Sequence, residues 1–188
     1  CLKEIKKTIK KNKLSAQIIV SDSSTDKSPE IAKREKVILI KHGEEGYGAA
    51  YLEALKTAKG KYIFMADADY SYDFSEIPNF ISQLKRGRDF VVGNRFEGKM
   101  EKGAMPLAHK YFGNPLLSLI LRVFFRAALK DSHCGMRAIS KKALNKLNLQ
   151  TTGMEFASEM IVKALKNNLK IKELPINYRK RKGVSKLR

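Results

Sequence analysis

Two carboxylates one residue apart, Asp67 and Asp69, end the run Lys61-Tyr62-Ile63-Phe64-Met65-Ala66-Asp67-Ala68-Asp69. In extended chain, residues two apart share a face, and both side chains can turn to one hard divalent cation if the strand breaks at Ala68. An ion held by so few protein groups keeps positions open for diphosphate oxygens. The apolar, β-rich run in front, bounded by Gly60, has the pattern of a buried strand. Its C-terminal tip carries acid into the crevice where open α/β sheets take their ligands. An Asp-x-Asp alone is a common surface feature, and the hydrophobic run ahead of it is what distinguishes this one.

A second candidate tip follows the short strand Ala16-Gln17-Ile18-Ile19-Val20. It is the turn Ser21-Asp22-Ser23-Ser24-Thr25-Asp26, whose side chains readily hydrogen-bond their own backbone. The glycine loop Gly43-Glu44-Glu45-Gly46-Tyr47-Gly48 lacks the Gly-Lys-Ser/Thr ending of a phosphate loop and the spacing of a dinucleotide fingerprint. Gly46 and Gly48 therefore read as close packing of a helix against a strand or a ligand. Asp131, His133, Cys134, Gly135 and Arg137 fall within seven residues. No partner triad is visible for His133 or Cys134, which read as packed or hydrogen-bonded residues. Glu155 and Glu159 stand four apart on one helix face, within reach of Lys163 and Lys166 for ion pairs.

The elements that must position these groups alternate. A basic opening helix carries Leu2, Ile5 and Ile9 as its apolar stripe. The strand at 16–20, a helix after Ser28-Pro29, a strand at 36–40, a helix at 49–59 and the strand before Asp67 follow in order. Further on come a helix to about Arg86, a strand Asp89-Phe90-Val91-Val92 leading to Gly93-Asn94-Arg95, a helix at 154–166 and a strand at 170–175. This alternation argues an α/β domain with a mostly parallel sheet flanked by helices. Residues 97–106 hold two glycines, a proline and mixed charge, and are expected to be a mobile loop over the site.

A chain of 188 residues is expected to form one domain, 1–188, that buries a sizeable core. Two cysteines at this spacing exclude a disulfide scaffold and a Cys-x-x-Cys zinc site. The net charge of +19 draws the protein to polyanions: nucleic acid, anionic membrane or phosphorylated small molecules. Nucleic acid is the weaker choice, because no helix-turn-helix or RNA-binding signature is present and Asp67 and Asp69 would repel a phosphate backbone. No run of about eighteen uncharged apolar residues is present, so the stretch is not expected to span a bilayer by itself. The apolar segment 115–129, punctuated by Arg122 and Arg126, can lie in a membrane interface or pack as a core helix.

Several motifs in register resemble the family 2 glycosyltransferases of the GT-A, nucleotide-diphospho-sugar transferase (Rossmann-like) fold. They are Ile19 to Asp26, Gly46-Tyr47-Gly48-Ala49-Ala50, Met65 to Asp69, Gly93-Asn94-Arg95, Cys134-Gly135-Met136-Arg137, Gly153-Met154-Glu155-Phe156 and Ser185-Lys186. Within that family the chain is most similar to polyprenyl-phosphate (dolichyl-phosphate) mannosyl- and glucosyltransferases. The resemblance implies that Asp22, with Ser23, meets the base or ribose of a nucleotide sugar, UDP-Glc or GDP-Man, near Gly46 and Gly48. It implies that Asp67 and Asp69 hold Mg2+ or Mn2+ on the diphosphate, that Arg95 and Arg137 face the acceptor phosphate, and that Arg181, Ser185 and Lys186 belong to a loop closing on the diphosphate. Ser21, Ser23 and Ser71 depart from the residues usual at their positions. Family members begin with a strand, and the resemblance places Cys1 in the helix after it, so a fragment whose N-terminal strand is missing is expected.

The implied reaction is an inverting hexosyl transfer to a polyprenyl (dolichyl) phosphate at the cytoplasmic face of the cell membrane. A phosphate acceptor is already anionic and needs no strong base. A saccharide hydroxyl would need one, with Asp131 or Glu155 as the carboxylates to test.

Overall fold

A computed structural model describes residues 1–43, 46–107, 109–125 and 129–183. Among them, helices α1 (Leu2–Lys11), α2 (Ser28–Arg34), α3 (Tyr47–Thr57), α4 (Ile77–Lys85), α5 (Asn114–Phe125), α6 (Lys141–Leu147) and α7 (Phe156–Lys166) alternate with six strands. The strands are β1 (Ile19–Asp22), β2 (Ile38–Lys41), β3 (Tyr62–Met65), β4 (Phe90–Asn94), β5 (Arg137–Ser140) and β6 (Ile171–Pro175).

Local signals account for many of the boundaries. Asp73 accepts from the Ser75 N–H at the head of a 3-10 turn, Pro78 sits in the first turn of α4 where its missing N–H costs nothing, and Gly87 (φ 88°) lets the chain leave the helix. Ser140 caps α6 through the Ala143 N–H, and Asn148 ends that helix in the left-handed conformation. In α4, Ile77, Phe80 and Leu84 repeat at helical spacing and are buried. Full burial of a side chain such as Phe80 stabilises by about 1.5–3 kcal/mol.

The expected α/β layout is present, but the sheet is mixed. β1 and β2 pair in parallel as a two-stranded sheet, and the other four strands run in the order β3-β5-β4-β6. β4 pairs with β6 in parallel, whereas β5 is antiparallel to both β3 and β4. The reason lies in the connection. The chain leaves β4 at Asn94, makes an excursion through α5, and re-enters the sheet with Arg137 beside Val92 and Met65. Entering at the end where β3 and β4 finish, β5 can only run back. β4 is buried along its whole length, and Phe90, Val91, Val92, Ala138 and Ile139 form the centre of the core with Met160 and Ile161 of α7.

Residues 97–106, expected to be a mobile loop, are tied to the chain after β6. Tyr178 N–H donates to the Lys99 carbonyl (2.8 Å) and Glu101 N–H to the Tyr178 carbonyl (2.9 Å). Gly98 allows this approach, since a Cβ there would fall 1.8 Å from the Ile176 carbonyl oxygen.

Candidate functional site

Asp67 lies two residues past the end of β3 and is mostly enclosed. Its Oδ1 accepts from the Tyr51 hydroxyl (3.3 Å), and its Oδ2 lies over Gly135, where a Cβ would come within 2.7 Å of it. Tyr51 is held in turn by stacking on Phe156, ring centres 5.5 Å apart, and by an edge contact with Tyr47. Burial first, and then the neighbouring Asp69 carboxylate, push the Asp67 carboxyl up to about 6. Both causes are those that a nearby cation would oppose.

Asp69 sits in the turn that follows. Its Oδ1 accepts from the Ser71 N–H (3.0 Å) and the Ser71 hydroxyl, and its Oδ2 is 3.3 Å from the Arg181 guanidinium. The backbone of the basic segment after β6 crosses the same turn: Lys182 N–H donates to the Asp69 carbonyl and Arg179 N–H to that of Ser71, both at 2.8 Å. Lys182 Nζ stands 4.5 Å above the Tyr70 ring, and Arg179 pairs with Asp73 at 2.7 Å. Two acids under a strap of cations form a place where a metal and a diphosphate can share opposite charges. Ser185 and Lys186 lie outside the described residues.

At the tip of β1 a polar cavity of about 340 Å3 is lined by Asp22, Ser23, Ser24, Lys41, His42 and Gly43. Asp22 Oδ1 accepts from the Ser24 N–H (3.3 Å). Asp22 Oδ2, Ser21 Oγ and both ring nitrogens of His42 are buried with no hydrogen-bond partner among the described residues. Buried polar atoms left unpaired are costly in a fold and are satisfied when a polar ligand supplies the missing groups. His42 was not singled out from sequence, although its place directly after an apolar strand was the available signal. Helix α3 packs on β1 and carries Tyr51 to Asp67, so one rigid element connects the cavity to the acidic turn.

Five expected site residues are engaged within the fold. Gly46 (φ 136°) and Gly48 admit the backbone of residues 151–153: a Cβ would fall 2.3 Å from Thr152 O at the first and 2.2 Å from Thr151 O at the second. The Gly48 and Ala49 N–H groups donate to the Gly153 and Thr152 carbonyls (3.1 and 2.9 Å). The start of α3 is thus occupied by carbonyls rather than open to an anion. Asp131 cannot act as a free base, because it is fully buried and both its oxygens accept from Arg95, Nε and Nη2 at 2.7 Å each. Arg137 is buried as well and donates to the Cys134, Ala157 and Ser132 carbonyls at 2.8–2.9 Å. Neither arginine presents the open fork that was expected to face an acceptor phosphate, since buried guanidinium donors must be satisfied within the fold.

Glu155 is exposed at the head of α7 and accepts from the Gly153 N–H (3.0 Å). Glu159 forms the expected ion pair with Lys163 (2.6 Å) and also accepts from Gln150 and Thr151. Cys134 is a packed thiol that burial pushes up to about 12, and His133 bridges the Ser132 and Ser158 hydroxyls at 2.9 Å.

The model of the family described as Glycosyl transferase family 2 matches residues 1–147. The chain belongs to glycosyl transferase family 2. Among relatives in the family, a low-salt glycan biosynthesis hexosyltransferase of Haloferax volcanii is 43% identical over 188 residues, which is all of this chain and 46% of that protein. A dolichyl-phosphate hexose transferase of the same organism is 29% identical over 175 residues, covering 92% of this chain and 74% of the relative. The chain thus spans about half the length of the first relative. Among solved structures, glucosyl-3-phosphoglycerate synthase from Mycobacterium tuberculosis, in complex with Mn2+, UDP and glucosyl-3-phosphoglycerate, superposes with a TM-score of 0.73 at 19% identity. That match covers 92% of this chain and 63% of the other, and shows the shared GT-A fold.

Asp67 and Asp69 fit a divalent cation as part of its shell. Both are hard oxygen donors, Asp67 has a single long hydrogen bond, and no cluster of three His, Cys, Asp or Glu able to hold a metal occurs among the described residues. The remaining ligands would come from the diphosphate.

Proposed function

We propose that residues 1–188 form one catalytic domain of a metal-dependent, inverting hexosyltransferase. It moves a hexose from a nucleotide sugar, UDP-Glc or GDP-Man, to a polyprenyl (dolichyl) phosphate. The observation that carries the reading is the pairing, through α3, of a polar cavity at Asp22 with the Asp67 and Asp69 turn under a basic strap. In this reading Asp22, Ser23 and His42 bind the nucleoside, while Asp67 and Asp69 hold Mg2+ or Mn2+. A bound divalent cation neutralises charge on the departing nucleoside diphosphate. Arg181 lies where it can add its own charge to the same group, together with the strap that Lys182 anchors.

The acceptor oxygen forms its bond to the anomeric carbon as the bond to the diphosphate oxygen breaks, from the opposite face. A phosphate acceptor needs no proton removed, and the arrest of Asp131 by Arg95 favours it over a saccharide hydroxyl. For the saccharide reading Glu155 is the remaining carboxylate of the two considered. A dolichyl-phosphate hexose transferase among the relatives supports the lipid acceptor, and that acceptor implies work at the cytoplasmic face of the cell membrane. Nucleic acid has no part in this reading.

The test is transfer from radiolabelled UDP-Glc or GDP-Man, with Mn2+, to polyprenyl phosphate in detergent or to soluble saccharides. Product on the lipid, insensitive to Glu155→Gln, is expected. Product on saccharide alone, lost in Glu155→Gln, would overturn the lipid acceptor.

A further inference from the structure

The strap Tyr178-Arg179-Lys180-Arg181-Lys182 alternates arginine with lysine and runs antiparallel to the acidic turn, with Tyr178 bridged to Tyr72. Residues two apart in extended chain share a face, and here the arginines share the one toward the acids. Arg181 meets Asp69 at 3.3 Å, and Arg179 Nη2 meets Asp73 Oδ2 at 2.7 Å. The other terminal nitrogen of Arg179, Nη1, lies 3.3 Å from Glu4 of α1. One guanidinium thus ties the strap both to the turn after Asp69 and to the opening helix, 175 positions away. Its two carboxylate partners are themselves braced. Asp73 Oδ1 accepts from the Ser75 N–H and hydroxyl at 3.0 and 2.7 Å, and α1 packs on the 3-10 turn that begins at Phe74.

We infer that Arg179 is a positioning residue: clamped between Glu4 and Asp73, it holds the strap in the register that turns Arg181 to Asp69, and so to the diphosphate. From Arg179 to Gly183 the strap has no apolar side chain to bury, so polar contacts must order it. Arg181 cannot do this alone. Its side chain is 38% exposed, and an ion pair so open to water contributes little. The backbone bonds to Asp69, Ser71 and Glu101 can be made by any residue's N–H, whereas the forked contact to Glu4 and Asp73 needs a guanidinium at this position. A slip of one residue would bring Lys180 there, and an ammonium is a point charge that cannot span two carboxylates in the same way. A strap already in place carries Arg181 to the leaving group without the entropy of ordering it at binding. The effect of Arg179 on the donor rests on the nucleotide-sugar reading above, whereas its hold on the strap does not.

Calorimetry with Mn2+ and UDP, or Mn2+ and GDP, tests the role in positioning. Arg179→Gln is expected to weaken nucleotide binding by about threefold to tenfold, the scale of two partly exposed ion pairs. Arg179→Lys, which keeps the charge and loses the fork, should fall between that variant and the parent. Glu4→Gln should weaken binding by about twofold on its own and add nothing in the Arg179→Gln background, because Glu4 acts only through Arg179. Hydrogen exchange gives a readout without nucleotide: the amides of residues 179–182 should exchange faster in Arg179→Gln and Glu4→Gln, while those of β4 stay protected. Unchanged exchange of the strap in Arg179→Gln would overturn the clasp. Faster exchange with unchanged nucleotide affinity would overturn the positioning of Arg181, as would a Glu4→Gln loss that adds in full to that of Arg179→Gln. A parent that binds neither nucleotide would sink the nucleotide-sugar reading instead, and exchange would still decide whether Arg179 pins the strap.

Discussion

Asp67 and Asp69 occupy different surroundings although one residue separates them. Asp67 is enclosed and has one long hydrogen bond, whereas Asp69 is braced by Ser71 and paired with Arg181. Both contribute charge to the same ion in the proposed site, so Asp69→Asn is expected to weaken Mn2+-dependent binding of UDP or GDP by about tenfold or more, with an unchanged melting temperature. Calorimetry with and without EDTA checks this, and affinity that is unchanged and insensitive to EDTA would remove both residues from the metal site. Asp131 belongs to a different class. Truncating it leaves the buried Arg95 guanidinium uncompensated, and Asp131→Ala should cost about 3–5 kcal/mol of stability in urea titrations. A stable Asp131→Ala protein that had lost only turnover would restore the catalytic-base reading.

At the scale of elements, the start of α3 depends on glycine for packing rather than for ligand binding. Gly48→Ala gains about 1 kcal/mol of helix propensity but drives a methyl group to 2.2 Å from the Thr151 carbonyl oxygen, a backbone atom that cannot rotate aside. Overpacking of that kind costs about 1–3 kcal/mol and should win, lowering the melting temperature. Because Gly48 and Tyr51 share α3, the same variant should also weaken nucleotide binding by displacing the hydroxyl that meets Asp67. An equally stable Gly48→Ala chain with native nucleotide affinity would show that the contact with residues 151–153 is dispensable.

Over the whole molecule, acid acts through His133 and Glu159 as well as through Asp67. Burial first, and then the Arg137 charge, lower the His133 pKa from 6.5 to about 4. Between those values the unfolded chain holds more protons than the folded one, so stability is lost as pH falls through the window. Burial pushes the Glu159 carboxyl up, but hydrogen bonds from Lys163, Thr151 and Gln150 outweigh it and hold the group down to about 2, against an ordinary 4.5. Its contribution is lost in turn as pH falls from 4.5 toward 2. Asp67, raised to about 6, works in the opposite direction between 3.8 and 6, so the comparison must be made between variants. The stability difference between the parent and His133→Asn should shrink by about 1–3 kcal/mol as pH drops from 7 to 4, read from urea midpoints. A difference independent of pH would mean that the folded imidazole titrates normally.

Several features were legible in the sequence because their signals are local. The apolar run before Asp67, the turn chemistry after Val20, the helix at 154–166 and the Glu159–Lys163 pair all depend on residues a few positions apart. Segment 115–129 was legible only as two alternatives, because an apolar helix has the same composition whether it faces a core or a membrane. Tertiary structure set which side chains of the helix face inward, turning Ser118 toward Ser132 and burying Leu121 while Leu116, Leu119, Val123 and Phe124 stay exposed. It also decided the antiparallel entry of β5, the capture of Asp131 by Arg95 across 36 positions, the carbonyls that fill Arg137, and the gathering of Asp22 and His42 from separate strands. Those outcomes follow from which distant segments come to lie side by side, and burial then forces each polar group in the contact to find its partner there.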